Sequence, residues 1–188
     1  MTTLHELRAL TPVRPLRFAE ALRIAELQAA KLVQLAGLAD GPVPNSIISE
    51  QPRLQVERLP LHRGCSGFSQ WAKGRWVIVL NAHESPNRQR FSLAHEFKHV
   101  LDGPLAAALY PSDNNQPTDA AAEAICDHFA ACLLMPRPWV KRAWGNGMQD
   151  PYVLARRFRV SPEAMHIRLD RLGLTNRRMN RHGVPVSH

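Results

Sequence analysis

RFSLAHEFKHVLDG, at residues 90–103, predicts a helix on which two histidines lie one turn apart. Ser85 followed by Pro86 is typical of a helix start and Gly103 of a helix end, so we expect this helix over residues 86–102. Apolar residues recur along it at steps of three and four, which indicates one buried face. The predicted buried residues are Phe91, Ala94, Phe97, Val100 and Leu101.

The histidines of this helix form an H-E-x-x-H motif. His95 and His99 are four residues apart, so both imidazoles project from one face and can bind the same metal ion. Glu96 lies about 100° around the helix from His95, beside the ion, where its carboxylate can act as a general base on water. The motif predicts a catalytic metal site, with Zn²⁺ as the expected ion and Mn²⁺ as the alternative. A solvated helix face that carries two histidines by chance is the simpler interpretation.

A catalytic zinc site generally has a third protein ligand, and the next predicted helix offers one. EAICDHFAACLLMP, at residues 123–136, lies in a helix that we expect over residues 118–135. Glu123 and Asp127 are four residues apart and share one face. Glu123 can bind the metal while Asp127 accepts the second ring N–H of a ligand histidine. The competing carboxylates for the third position are Asp102, Asp113 and Asp119.

The cysteines of this helix allow a second interpretation. Cys126 and Cys132 flank His128, which is a combination that also occurs in Cys/His metal sites. A separation of six residues places the two thiols on opposite sides of a helix, and buried cysteine commonly behaves as a small apolar residue. We therefore favour packing for both cysteines.

Outside these helices, short helical and extended segments alternate. Residues 15–38 carry apolar side chains at helical spacing, which predicts an N-terminal helix. Residues 53–59 alternate as a half-buried strand does, and residues 76–80 are apolar on both faces, as in an internal strand. Helical spacing returns at residues 150–158 and 161–172. The pattern predicts an α+β fold with a small sheet and a C-terminal helical hairpin.

The positive charge is concentrated at the C-terminal end. The net charge is +8, and residues 137–188 hold 11 Lys and Arg against three acidic residues. A basic helix-turn-helix can bind DNA phosphates, whereas a packing hairpin would turn its arginines to water. We favour packing, because no Asn or Gln is obviously placed for base contacts and Trp139 and Trp144 look like core residues. The arginines available for contact with nucleic acid or a protein partner are Arg156, Arg157, Arg159, Arg168 and Arg171.

Composition excludes several classes of protein. Apolar residues make up 45% of the chain and charged residues 21%, which excludes disorder of the whole. The longest apolar run, residues 129–135, is far shorter than the roughly 18 residues needed to cross a bilayer. The first 14 residues lack the apolar segment of a secretory signal, and the three cysteines form no CxxC pair. We expect a cytoplasmic protein with no membrane partner.

The two central stretches resemble the ImmA/IrrE family of zinc-dependent metallopeptidases. The usual family pattern is F-x-x-A-H-E-x-x-H followed by E-x-x-A-[ND]-x-F-A-x-x-L-L-M-P, and the similarity extends from about residue 22 to residue 174. It implies a zincin-like α+β fold with an N-terminal helix, a small sheet, two metal-ligand helices and a C-terminal hairpin like a helix-turn-helix. It also implies a residue for each role: His95, His99 and Glu123 as metal ligands, Glu96 as general base, and Asp127 as the partner of a ligand histidine.

Two positions depart from the family pattern. Lys98 stands where the family commonly has Gly, and Cys126 where it commonly has Ala. We expect Lys98 to project away from His95 and His99, although a cation near the cleft could alter substrate preference. Neither departure removes a residue of the predicted site.

Composition and resemblance together predict four segments. Residues 1–14 are expected to form an N-terminal tail, and residues 15–138 the zincin-like metallopeptidase domain. Residues 139–176 are expected to form a basic C-terminal helical subdomain, and residues 177–188 a disordered tail.

The predicted function is that of a zinc metalloendopeptidase. The resemblance implies that its substrate is a helix-turn-helix transcriptional repressor or antitoxin, in a regulatory, mobile-element or stress-response context. The alternative is a non-catalytic regulator that binds metal together with DNA or protein. The mechanism also requires a hydrogen-bond donor for the tetrahedral oxyanion. The candidate donors are Tyr110, His62, His83, His128 and His166.

Overall fold

The computed structural model describes residues 2–109 and 119–175, and this part of the chain has an α+β architecture. The strands are β1 (Leu54–Leu59), β2 (Gly67–Ala72) and β3 (Arg75–Asn81). The helices are α1 (Thr3–Arg8), α2 (Phe18–Leu35), α3 (Ser46–Ser49), α4 (Pro86–Asp102), α5 (Ala106–Leu109), α6 (Asp119–Leu134), α7 (Arg137–Gly145), α8 (Pro151–Phe158) and α9 (Pro162–Arg171).

The sheet has the strand order β1-β3-β2. β3 pairs in parallel with β1 and antiparallel with β2, so β2 lies at one edge of the sheet. Val77 to Leu80 of β3 are buried, because the strand is covered on both faces. The prediction of an internal strand over residues 76–80 is therefore confirmed.

The helix with the two histidines begins and ends where the sequence predicts. The Ser85 hydroxyl accepts a hydrogen bond from the Arg88 backbone N–H, and Pro86 occupies the first turn, where its missing N–H costs nothing. The predicted buried face is largely present, although Phe91 is only half-buried. α4 packs against α6 and the sheet, so the histidines lie between a strand edge and a second helix.

The N-terminal segment is more ordered than the sequence predicts. Residues 3–8 form α1, and Leu7 is fully buried. The Gln28 amide of α2 donates to the Leu7 carbonyl and to the Thr11 hydroxyl, and Arg8 donates to carbonyls at the end of α4. This corrects the predicted tail over residues 1–14. A helix of six residues is too short to show a periodic apolar pattern, and its burial depends on α2 and α4.

The C-terminal helices are held to the rest of the protein by backbone contacts. Arg90 of α4 donates from Nε to the carbonyl of Arg159, and Asn87 donates to the carbonyl of Val160. The same Arg90 guanidinium also bonds Val43 and Asn45. These contacts fix the turn between α8 and α9 against the start of α4. The predicted tail over residues 177–188 lies outside the described residues.

Within residues 2–109 and 119–175, no helix combines the length and the apolar character that a bilayer-spanning segment requires.

Candidate metal centre

Two histidine rings of α4 converge on each other. His95 and His99 lie one turn apart, and their Nε2 atoms are 3.2 Å from each other. Two unprotonated ring nitrogens at this distance would place their lone pairs close together. Such an arrangement is favourable when a cation lies between them.

A carboxylate of α6 completes a three-residue set. Glu123 places Oε2 3.0 Å from Nε2 of His95, and Oε1 3.2 Å from Nε2 of His99. A tetrahedral zinc site with bonds of about 2.0–2.1 Å has neighbouring ligand atoms about 3.3 Å apart. The three separations are close to that value, so the residues present fit a divalent metal. The side chain of Glu123 is about half exposed, which leaves one side of the set open to the cleft.

Asp127 orients one of the histidines. Its Oδ1 atom lies 2.9 Å from Nδ1 of His95, so this nitrogen carries the proton and Nε2 is free to bind metal. Burial alone would lower the pKa of His95. The hydrogen bond with Asp127 and the negative charges of Glu123 and Glu96 outweigh burial and raise the pKa above its usual value. The acidic surroundings therefore favour positive charge at this ring position, whether a proton or a metal supplies it.

Glu96 lines two neighbouring clefts. One cleft has a volume of about 380 Å³ and contains His95, and the other has a volume of about 500 Å³ and contains His99. Both are lined by Glu96, Glu123 and Gly67. The residue is only 8% exposed. Its carboxylate therefore borders the space in which a substrate would meet the metal ligands.

Gly67 at the start of β2 allows the edge strand to lie close to β3, next to Glu96. A Cβ atom at this position would lie 2.7 Å from the carbonyl oxygen of Val79 and 3.6 Å from Cγ of Glu96. The first distance is shorter than van der Waals contact with a backbone atom, which cannot rotate away. A side chain here requires β2 to shift.

We expect Gly67→Ala to lower the free energy of unfolding by about 1–3 kcal/mol, the usual cost of overpacking. The displaced strand should also change the environment of Glu96. Urea unfolding measures the first effect. Gly145→Ala is the matched control, because a Cβ atom there meets nothing within 4 Å and the backbone is helical. Equal stabilities for the two variants would contradict the close approach.

The competing carboxylates do not join this set in the described residues. Asp102 accepts a hydrogen bond of 2.6 Å from the ammonium of Lys98, one turn before it on α4. Lys98 is fully buried and also donates to Gln28 of α2. Lys98 thus lies in the core, where its ammonium pairs with Asp102, a residue that lines the cleft containing His99. Asp113, the side chain of Asp119 and the candidate oxyanion donor Tyr110 lie outside the described residues.

Four other candidate oxyanion donors are within the described ranges. The described residues that line the two clefts do not include any of these histidines, which are His62, His83, His128 and His166.

Cys126, which the sequence predicts to be a packing residue, lies near the two histidines. The ligand atoms of His95, His99 and Cys126 all lie within 4.8 Å of one another. Cys126 follows Glu123 by three residues, so the two side chains share one face of α6. This spacing is the sequence signal that could have indicated Cys126 as a candidate ligand. Burial raises the pKa of its thiol, which favours the protonated form over a ligand thiolate. Glu123, with carboxylate oxygens at 3.0 and 3.2 Å from the two ring nitrogens, is the other candidate for the third donor.

Cys132 lies elsewhere on α6. Its sulfur is 3.5 Å from Nε2 of His128 and accepts a hydrogen bond from Arg168. Burial lowers the pKa of His128, and the charges of Arg168 and Arg171 lower it further. The two cysteines of α6 therefore have separate surroundings.

The five C-terminal arginines have different environments. Arg168 is 3% exposed and donates to the carbonyl of Met135, so it packs inside the protein and is not available to a partner, which corrects the prediction for this residue. Arg157 pairs with Asp40 at 2.7 Å. The remaining three are exposed, namely Arg156, Arg159 and Arg171.

Comparison with known proteins gives a consistent set of relatives. The chain matches the model of a peptidase family described as IrrE N-terminal-like domain over residues 50–170. It is 28% identical over 124 residues to the radiation response metalloprotease IrrE of Deinococcus radiodurans, an alignment that covers 62% of this chain and 34% of that protein. It is 40% identical over 63 residues to the protein of the same name from Deinococcus deserti, covering 32% of this chain and 22% of that protein.

Among solved structures, the fold is similar to that of a Mycobacterium tuberculosis transcriptional regulator. The TM-score is 0.63 at 19% identity, over 98% of this chain and 55% of the other. At this identity the likeness shows a shared fold. The chain thus spans about a third or less of the two metalloproteases and about half of the regulator.

Proposed function

The chain belongs to the peptidase family of the IrrE N-terminal-like domain, and on that premise we propose that it is a zinc-dependent endopeptidase with a zincin-like site. Manganese is the alternative ion. One observation carries the proposal: two histidine nitrogens and a carboxylate converge at 3.0–3.2 Å beside a buried glutamate in an open cleft. A structural metal site would have no need of that glutamate or of the opening.

Each residue of the site has a part in peptide hydrolysis. His95, His99 and Glu123 would hold the metal, which would supply Lewis-acid chemistry when bound. Glu96 accepts the proton of the attacking water and then donates it to the leaving amine. Asp127 keeps the proton of His95 on Nδ1, so that the ligand nitrogen stays available. The residues with these roles all lie on α4 and α6.

The edge of the sheet is suited to binding an extended substrate. β2 pairs with β3 on one side, and Phe68 and Ser69 of β2 line the cleft that contains His99. A peptide added as a further strand would form backbone hydrogen bonds with β2 and bring its carbonyl groups past Glu96. This arrangement favours a protein segment that is extended or can become so.

We extend the proposal to substrate and domain organisation. The catalytic unit is residues 15–138, and residues 139–176 form a C-terminal subdomain that positions a partner. The substrate is a helix-turn-helix repressor or antitoxin. The contacts from Arg90 and Asn87 to the α8–α9 turn support a fixed relation between the two parts.

The substrate proposal is tested with purified helix-turn-helix repressors of the same organism, beginning with any that is encoded beside this gene. We expect purified, zinc-loaded protein to cut one of these repressors at a defined position, detected by mass spectrometry of the fragments. A chelator should abolish the cut and added zinc restore it. If the protein cleaves a peptide library but leaves the repressors intact, this substrate is rejected and the peptidase function is retained. If the protein cleaves neither, the peptidase activity is rejected.

Glu123→Ala should lower zinc affinity by more than about 100-fold, because even residues that only orient a ligand contribute 10–100-fold. Competition with a chromophoric chelator measures the affinity without reference to activity. Glu50→Ala is the control, since Glu50 is an exposed carboxylate at the end of α3.

Cys126→Ala separates the two possible third ligands. We expect it to bind zinc with nearly unchanged affinity. If Cys126→Ala loses the metal and Glu123→Ala retains it, the third ligand is the thiol.

A further inference from the structure

A groove, distinct from the two clefts, joins the cleft that contains His95. It has a volume of about 230 Å³ and is lined by residues of α4, α6 and α9. The groove and the cleft share Arg88, Phe91 and Asp127, so they form one continuous depression. A chain that leaves the metal centre in this direction enters the groove.

Part of the lining of the groove is apolar. Phe91 is half-buried, and Ile167 of α9 is 48% exposed although it is a large aliphatic residue. Ala131, Val160 and Ala164 complete the apolar lining. Covering this surface with an apolar side chain would remove it from water, which favours binding.

A cation lies where the groove meets the cleft. The side chain of Arg88 is 58% exposed. Its NH2 group donates to the hydroxyl of Ser66, which donates in turn to Glu84 at 2.7 Å. Nε of Arg88 lies 3.7 Å from the same carboxylate. These contacts hold the guanidinium at the junction and leave much of it open to a ligand.

Helix geometry gives the distance of this cation from the reacting bond. Arg88 precedes His95 by seven residues, or two turns, which is a rise of about 10 Å. An extended peptide advances about 3.3 Å per residue. A substrate side chain about three residues from the scissile bond would therefore reach Arg88.

We propose that Arg88 and the groove select substrates with an acidic residue about three positions from the scissile bond and an apolar residue beyond it. The inference rests on the proposed peptidase function and specifies which substrate sequences the peptidase accepts. Arg171, which also lines the groove, adds a second positive charge at its α9 side. Glu163 lines the groove too, which disfavours acidic residues within it. Asp127 also lies at the junction, but its carboxylate accepts from Nδ1 of His95, so the exposed guanidinium of Arg88 is the group there that attracts an acidic residue.

The first test uses cleavage of a peptide library by zinc-loaded protein. We expect Asp and Glu to be enriched about three positions from the cut. Arg88→Glu should lower kcat/KM for an acidic peptide by at least about 10-fold, mainly through KM, and change an otherwise identical alanine peptide less than about 2-fold. An unfolding curve of Arg88→Ala shows whether loss of this side chain causes a folding defect. The matched control is Arg156→Glu, an exposed arginine of α8 that does not line the groove.

The second test does not depend on catalysis. Zinc-loaded Glu96→Gln protein should bind a fluorescent acidic peptide more tightly than its lysine counterpart, and Arg88→Glu should reverse the order. Cleavage or binding with no dependence on Arg88 overturns the inference and leaves the peptidase function intact. If the wild-type protein cleaves no peptide, the peptidase function is rejected. The relative affinities for the acidic and lysine peptides still show whether Arg88 and the groove select acidic sequences. Dimerisation that Ile167→Asp abolishes would assign the groove to a second copy of the chain and overturn the proposal.

Discussion

Glu96→Gln should reduce kcat/KM for peptide cleavage by about 10²–10⁴-fold and leave zinc bound at nearly one equivalent. Glutamine has the shape of glutamate but cannot accept the proton of the attacking water, and this range is typical of general acid–base catalysis. Glu96 is separate from the three converging donors, so the substitution removes none of them. Fragment analysis gives the rate, and elemental analysis of the same preparation gives the metal content.

Two variants make the result of Glu96→Gln specific. Glu123→Ala should lose metal and cleavage together, and Glu50→Gln should lose neither. Unchanged cleavage by Glu96→Gln would reject Glu96 as the general base. A wild-type protein that holds zinc but cleaves no peptide would favour the alternative of a non-catalytic regulator.

Lys98→Ala should lower the free energy of unfolding by about 3–5 kcal/mol, the usual cost of removing one partner of a buried ion pair. The ammonium of Lys98 is buried and lies 2.6 Å from Asp102 and 2.8 Å from Gln28. Alanine would leave the Asp102 carboxylate without this ammonium in the core and also open a cavity. Urea unfolding of the metal-free protein measures the change without a contribution from zinc.

The double variant Lys98→Met with Asp102→Leu separates charge from packing. Replacing both partners by apolar residues of similar size is often neutral or stabilising. We therefore expect it to be more stable than Lys98→Ala by at least about 2 kcal/mol. Surface variants such as Arg156→Ala should change stability by less than about 0.5 kcal/mol. A loss below 1 kcal/mol for Lys98→Ala would show that the ammonium is not buried in solution.

The helices and the central strand could be predicted because their determinants are local. Ser85, Pro86 and Gly103 delimit α4, and the run of apolar residues at 76–80 is found in β3. The family assignment was also available from the sequence, since its motifs lie within α4 and α6, and the match over residues 50–170 confirms it. α1 was not predictable, because six residues carry too little periodicity and their burial depends on α2 and α4.

The candidate metal site could be predicted from the sequence only in part. The spacing of His95 and His99 is a property of one helix, so it predicts a shared face. Whether Glu123, Asp102 or Cys126 comes nearest to that face depends on how α6 docks on α4, and several carboxylates had equivalent sequence positions. The structure brings Glu123 to within 3.2 Å of both rings and pairs Asp102 with Lys98.

By itself, the sequence determined the helical register that places His95 and His99 together, the family and the α+β class. These follow from periodicity and capping, which act over a few residues along the chain. Only the tertiary structure decided which arginines are buried, that Lys98 lies in the core, and that Arg88 stands at the junction of a cleft and a groove. Charge and exposure depend on what other segments pack against a residue, and those segments are distant in the sequence.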